Sequence, residues 1–177
     1  MSQSLPPVFE TQVPTDWVDF NGHMNDAAYA IAFSHATDQL MDRLGMDAAW
    51  RERSGCTIYT LESHIRYLQE AHEGQHIHVT AQLLGHDSKR LRVFHRMHRR
   101  GEEKPLATSE QLLLHVDARG PSAAPFDAET RERIAQLAAG QADLPIPAAA
   151  GRGIRTLTMA TSRAKRGSET GPGPDGP

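Results

Sequence analysis

Residues 16–45, DWVDFNGHMNDAAYAIAFSHATDQLMDRLG, decide the fold of this chain. Tyr29, Phe33, Thr37, Leu40 and Leu44 recur three or four positions apart, with Ala30, Ile31, Ala36 and Met41 flanking the same side. That pattern predicts one amphipathic helix over 26–44. Asn25 or Asp26 fits the N-cap, and Gly45 fits the position just past the C-terminus. The alanines on the stripe predict close approach to a sheet. Directly ahead of the helix stands a polar turn, Asp19-Phe20-Asn21-Gly22-His23-Met24-Asn25. A helix start carries unpaired backbone N–H groups and the positive end of the helix dipole, so a carboxylate there shares a small space with oxyanion donors.

Upstream, 8–13 (VFETQV) reads as a short strand ended by Pro14. Downstream, 46–53 reads as a short second helix ended at Ser54-Gly55. Four β-type runs follow, at 57–69, 75–84, 90–98 and 106–116. In the first run Ile58, Thr60, Glu62, His64 and Arg66 alternate with Tyr59, Leu61, Ser63, Ile65 and Tyr67, which puts Glu62 and His64 on one face. The turns at Gly74, at Gly85-His86-Asp87-Ser88 and at Gly101-Glu102-Glu103-Lys104-Pro105 are short and polar, as between antiparallel neighbours. A further helix is expected over 126–139, with Asp127 as N-cap and Phe126 as a staple residue. Residues 1–153 are expected to form one domain. The remainder, 154–177, cannot bury a core and is expected to be a disordered tail.

The long helix must bury its apolar stripe against the only large surface available, the sheet. The expected class is therefore α+β, with a five-stranded antiparallel sheet wrapped around one long central helix, the hotdog arrangement. Such a sheet leaves edges exposed. Pairing two sheets edge to edge hides one edge from each subunit, so a homodimer or a dimer of dimers is expected.

Composition removes several classes of function. The 177 residues carry a net charge of −3, which does not favour nucleic acid. No apolar run approaches the roughly 18 residues of a membrane span, and the N-terminus lacks the basic and apolar regions of a secretory signal; a cytoplasmic protein is expected. One cysteine, Cys56, rules out an internal disulfide. His76 and His78 share a strand face, but no Cys/His/Asp cluster with metal spacing accompanies them, so no metal is expected. There is no Gly-x-Ser-x-Gly motif of a serine hydrolase.

The pattern Asp19-x-x-Gly22-His23-x-Asn25, followed by Tyr29 and a long helix, resembles acyl-CoA thioesterases of the hotdog superfamily, of the 4-hydroxybenzoyl-CoA thioesterase type. The set WVDFNGHMNDAAYA, FSHATDQLMDRLG, TLESHIRYLQE, HDSKRL, ATSEQLLLHVD and APF is similar to the thioesterases of bacterial carnitine degradation, which act on betainyl-CoA. This likeness covers about residues 9–153. It implies hydrolysis of a short acyl-CoA, with coenzyme A as part of the substrate and no separate cofactor, and active sites at a dimer interface.

The resemblance makes Asp19 the catalytic carboxylate, as base or as nucleophile. By itself the turn leaves Asp19 equally readable as a residue bonding local backbone N–H groups. Gly22, His23 and Asn25 join it as catalytic candidates: Gly22 for backbone freedom, His23 as a donor to the thioester, Asn25 as helix cap or substrate ligand. Trp17, Asp26, Tyr29, Glu62 and His64 are substrate-binding candidates. If the acyl group is cationic, aromatic faces are needed; Trp17, beside the turn, is the first of these, with Tyr59, Tyr67, Phe33 and Trp50 behind it. Lys89 and Arg90, in a basic run, are candidates for the phosphates of coenzyme A. Two other readings stay open: a hotdog dehydratase or hydratase acting on acyl thioesters, and a non-enzymatic acyl-CoA sensor.

Overall fold

The computed structural model describes residues 5–157. The element order is β1 (Pro7–Gln12), α1 (Asp26–Arg43), α2 (Ala48–Ser54), β2 (Cys56–Tyr67), β3 (His76–His86), β4 (Arg90–Arg99), β5 (Pro105–Asp117), β6 (Ser122–Ala123) and α3 (Ala128–Gly140). All strand pairings are antiparallel, and the sheet runs β1-β3-β4-β5-β2, with β6 a two-residue addition to β5. The five expected strands curl around α1 as the hotdog arrangement requires. The expected disordered tail falls mainly on 158–177, outside the described residues.

Helix α1 buries Ala28, Tyr29, Ala32, Phe33, Ala36, Thr37, Leu40 and Met41 against the sheet. Ala28, Ala32 and Ala36 form a flat row four residues apart, which brings the helix backbone close to the strands. Ile31, expected beside the stripe, is turned outward and 44% exposed. The opposing sheet surface is Ile77, Val79 and Ala81 of β3, Leu91, Val93 and Met97 of β4, and Ala107 and Leu113 of β5, all buried. Inside this core the Thr37 hydroxyl donates to Gln111 Oε1 at 2.7 Å, so the buried polar pair is satisfied.

Two features of the sheet differ from the sequence reading. The first is connectivity. β2 and β3 follow one another in sequence across a short turn-like segment, yet β2 pairs with β5 at the far edge and β3 lies beside β1. The link, residues 68–75, is a crossover. Leu68 and Gln69 N–H groups both donate to Leu106 O, and Ala71, fully buried, accepts from Met24 N–H at 2.7 Å. Tertiary hydrogen bonds to β5 and to the turn before α1 replace those a hairpin would make.

The second is register. β2 carries a bulge between Thr60 and Glu62, leaving Leu61 unpaired. A one-residue bulge inverts the alternation beyond it. Ser63 therefore pairs opposite Gln111 and Ile65 opposite Ser109, on the helix-facing side with Ile58 and Thr60. The Ser63 and Ser109 hydroxyls lie 3.4 Å apart on that side. Glu62, His64 and Arg66 share the outer face with Tyr59, and no longer with Ile58 and Thr60.

The outer face is crossed by the chain after α3. Gln141 bridges the β3 edge where β1 has ended, donating to Ala81 O and accepting from Leu83 N–H. Farther on, Gly151 N–H donates to Glu110 Oε2 at 2.7 Å.

Candidate active site

The turn ahead of α1 is closed by local bonds. Val18 and Met24 form an isolated antiparallel bridge, Asp19 N–H donates to His23 O, and Gly22 N–H donates to Asp19 O. Gly22 has φ 81°, and a β-carbon there would meet nothing within 4 Å. The need for glycine is therefore conformational and not one of space. The crossover backs the turn from behind: His72 Nδ1 lies 3.0 Å from Gly22 O, and Met24 is held by Ala71.

Asp19 is half-buried at the head of this turn. Its Oδ1 accepts the Asn21 N–H at 2.8 Å. This is the local bond expected of a turn residue, and it orients the carboxylate while leaving Oδ2 without a partner among the described residues. The turn role and a chemical role are thus compatible, one oxygen serving each.

Asn25 is the helix N-cap. Its side chain accepts from Ala28 N–H at 2.9 Å and its Nδ2 donates to Trp17 O at 3.2 Å. These bonds engage both ends of the amide and place the helix start. Of the N–H groups expected to be free there, that of Asn25 donates to Trp17 O and that of Ala27 to the Asp26 carboxylate. The Asp26 N–H remains, without an acceptor among the described residues, at the positive end of the eighteen-residue helix.

Beside the turn a cleft of about 320 Å³ is lined by His23, Asp26, Tyr29, Tyr67, Leu68 and Glu70, among others. His23 Nε2 faces Glu70 at 3.7 Å. The tyrosine rings meet edge to face, with centroids 5.4 Å apart at 86°. Tyr29 O–H donates to Gln69 O and Tyr67 O–H to Asp26 O. Burial holds both phenols above the ordinary tyrosine value; Asp26 adds to the effect at Tyr67.

His23, Asn25, Asp26 and Tyr29 are thus gathered around the helix start with Asp19. Other candidates are not. Trp17 packs half-buried against the core and offers the site its backbone carbonyl, not its ring. Glu62 and His64 lie on the outer sheet face, in a hollow with Arg92, Glu110 and Gly151. Lys89 and Arg90 sit in the β3–β4 turn, at the opposite end of the sheet from the α1 start. Arg90 is ion-paired with Asp87, whose carboxyl this pairing pulls down to about 2. The rest of the basic run is also engaged: Arg92 with Glu110, Arg99 with Glu102, Arg100 with Glu10, and Arg96 over the Phe94 ring. Phe33 and Trp50 are buried.

The sequence pattern does not single out Glu70. It closes the stretch TLESHIRYLQE, and its only sign in the sequence is an acid three positions after Tyr67 at a strand exit.

A family model described as the thioesterase-like superfamily matches residues 13–134. The chain belongs to that superfamily. It is a thioester hydrolase. Among its relatives, a betainyl-CoA thioesterase of Pseudomonas aeruginosa is 47% identical over 154 residues, covering 87% of this chain and 96% of that protein. An L-carnitine dehydrogenase/betainyl-CoA thioesterase of Rhizobium meliloti is 41% identical over 145 residues; the match takes in 82% of this thioesterase and 29% of that longer protein. A presumed thioesterase of Pseudomonas putida KT2440 superposes with a TM-score of 0.77 at 43% identity, covering 89% of this chain and all of that one. A Staphylococcus aureus protein solved in complex with CoA superposes with a TM-score of 0.81 at 26% identity, covering 89% and 98%.

Proposed function

We propose that this thioesterase hydrolyses betainyl-CoA to betaine and free coenzyme A. The observation that carries this reading is the 47% identity, over nearly the whole of both chains, to a betainyl-CoA thioesterase. The site chemistry supports it. Hydrolysis needs an attacking oxygen and a donor for the charge developing on the carbonyl oxygen. Asp19 Oδ2 is the free carboxylate oxygen at the turn, serving as base toward water or as nucleophile. The Asp26 N–H, with the helix dipole behind it, is the donor. The C–S bond breaks, the thiolate leaves as CoA thiol after taking a proton, and water supplies the new carboxylate oxygen. His23, at the cleft wall, orients the thioester.

The test is a thiol-release screen over betainyl-, acetyl-, 4-hydroxybenzoyl- and medium-chain acyl-CoA. Betainyl-CoA is expected to give the highest kcat/KM by tenfold or more. A preference for an aromatic or long acyl group would refute the substrate while leaving the hydrolase assignment in place.

The working unit in this reading is a cytoplasmic homodimer joined along β2. That strand is twelve residues long, forms a sheet edge and leaves Tyr59 and Leu61 45% and 50% exposed. Such an edge calls for a partner. Antiparallel pairing of two β2 strands would set the partner's β3–β4 turn, with its Lys89 and Arg90, toward the α1 start of the first subunit. That arrangement gives the basic pair a role for coenzyme A phosphates which a single chain does not. Light scattering at micromolar concentration should return about 39 kDa, twice the 19.5 kDa of the chain, or a multiple of it. A mass of one chain would remove the dimer.

A further inference from the structure

We propose that the cleft beside the α1 start seats the quaternary ammonium head of the acyl group, with Tyr67, braced edge to face by the buried Tyr29, as its aromatic wall and Glu70 as its countercharge. This rests on the betainyl reading above and deepens it by assigning the residues that read the charge.

Substrate chemistry fixes where such a seat must be. In a betainyl thioester the nitrogen is two bonds, about 2.5 Å, from the carbonyl carbon. The cation must therefore lie against the reacting carbonyl, next to whatever polarises it. Of the aromatic side chains first expected to form a cage, Trp17 packs on the core, Phe33 and Trp50 are buried, and Tyr59 is on the outer sheet face. Tyr67 alone is both exposed, at 51%, and tied to the helix start, its hydroxyl donating to the carbonyl of the same Asp26 whose N–H is free.

A trimethylammonium group donates no hydrogen bond, so it is recognised by π faces and by negative charge at van der Waals distance. The cleft offers both. Tyr29 supports Tyr67 edge to face, and each hydroxyl donates to a backbone carbonyl, which fixes the ring planes. Two carboxylates, Asp26 and Glu70, line the cleft, and no lysine or arginine among the described residues does. Arg99, close enough to act on the Tyr29 phenol, is neutralised by two bonds from Nη1 to Glu102 of 2.6 and 2.7 Å, while its Nη2 donates to Glu70 O, anchoring that residue's backbone, and its Nε donates to Gln75 Oε1. Among the described residues, the Glu70 carboxylate has only His23, at 3.7 Å, as an ionic neighbour. It is free to face a bound cation.

The test uses a neutral carbon isostere. In 3,3-dimethylbutanoyl-CoA a quaternary carbon replaces the nitrogen, keeping the shape and removing the charge. The readout is the ratio of kcat/KM for betainyl-CoA to that for the isostere, in the wild type and in Tyr67→Leu, Tyr67→Phe and Glu70→Gln. The wild-type ratio is expected to be tenfold or more. It should fall at least fivefold in Tyr67→Leu and in Glu70→Gln, mainly through KM, and stay within about twofold of wild type in Tyr67→Phe, which keeps the aromatic face. A wild-type preference that survives both Tyr67→Leu and Glu70→Gln would overturn the seat and leave the betainyl reading standing. A wild type without preference for betainyl-CoA over its isostere would overturn both. Loss of activity on the two substrates in equal measure leaves the ratio unchanged, and so also counts against the seat.

Discussion

Asp19→Asn is expected to lower kcat for the best acyl-CoA substrate by roughly 10²- to 10⁴-fold, the range typical of removing a general base. The fold should survive the change. Asp19 Oδ1 accepts the Asn21 N–H, and an asparagine side-chain oxygen accepts the same bond, so the turn keeps its geometry and loses only the negative charge. Asp19→Ala would remove the charge and the turn bond together, adding a stability cost of about 1 kcal/mol. The asparagine variant is therefore the cleaner probe. Thiol release measures the rate, and circular dichroism with a melting curve confirms the fold. Turnover within about threefold of wild type would take Asp19 out of the mechanism. In a single turnover in ¹⁸O-labelled water, label found in Asp19 identifies the nucleophilic route. Attack by the carboxylate leaves label in Asp19 after hydrolysis of the anhydride at that residue, whereas water activated by Asp19 puts label only in the released acid.

The second large effect is on stability. His95 is fully buried on the inner sheet face against Phe33, with ring centroids 6.0 Å apart, and neither ring nitrogen has a hydrogen-bond partner among the described residues. Burial pushes it down to about 4 from the ordinary 6.5. Between those values the unfolded chain binds a proton that the folded chain refuses. The stability is fully present above about pH 6.5, is lost as pH falls, and levels off below about 4. The loss is on the order of 3 kcal/mol. His78 and His98, stacked on the outer face and also lowered by burial, act with the same sign. Asp87 and Asp117, both held to about 2 by arginines, lose their contribution only below the ordinary carboxylate value, outside this window. Thermal melts from pH 7.5 to 4.5 should show a falling Tm, and His95→Leu should flatten that fall by several degrees. Parallel pH curves for the two proteins would show that His95 does not carry the effect. At pH 7 the variant should be no less stable than wild type, because it removes unpaired polar atoms from the core.

Much of the site was legible because it is local. Asn25 caps α1 and Asp127 caps α3 through bonds spanning three residues, and the Asp19 turn closes on itself within five. The misplacements came from non-local pairing. Alternation along β2 gave no warning of the bulge at Leu61, which sends Ser63 and Ile65 inward with Ile58 and Thr60. The short segment after Tyr67 reads as a hairpin, although it is a crossover pinned at the buried Ala71. Lys89 and Arg90 looked available in sequence, yet Arg90 folds onto Asp87 in its own turn.

By itself, the sequence determined the helix, its caps, the glycine at positive φ, the number of long strands and the Asp-x-x-Gly-His-x-Asn turn. Each follows from periodicity or from bonds between near neighbours, which a chain carries before it folds. Only the tertiary structure decided that β2 ends up beside β5, that residues 68–75 run beneath the helix start, and that Tyr67 and Glu70 thereby meet Tyr29 and His23. Those contacts join segments about forty or more residues apart, and they form where burial of the α1 stripe fixes which strand edges and loops are left to meet at its positive end.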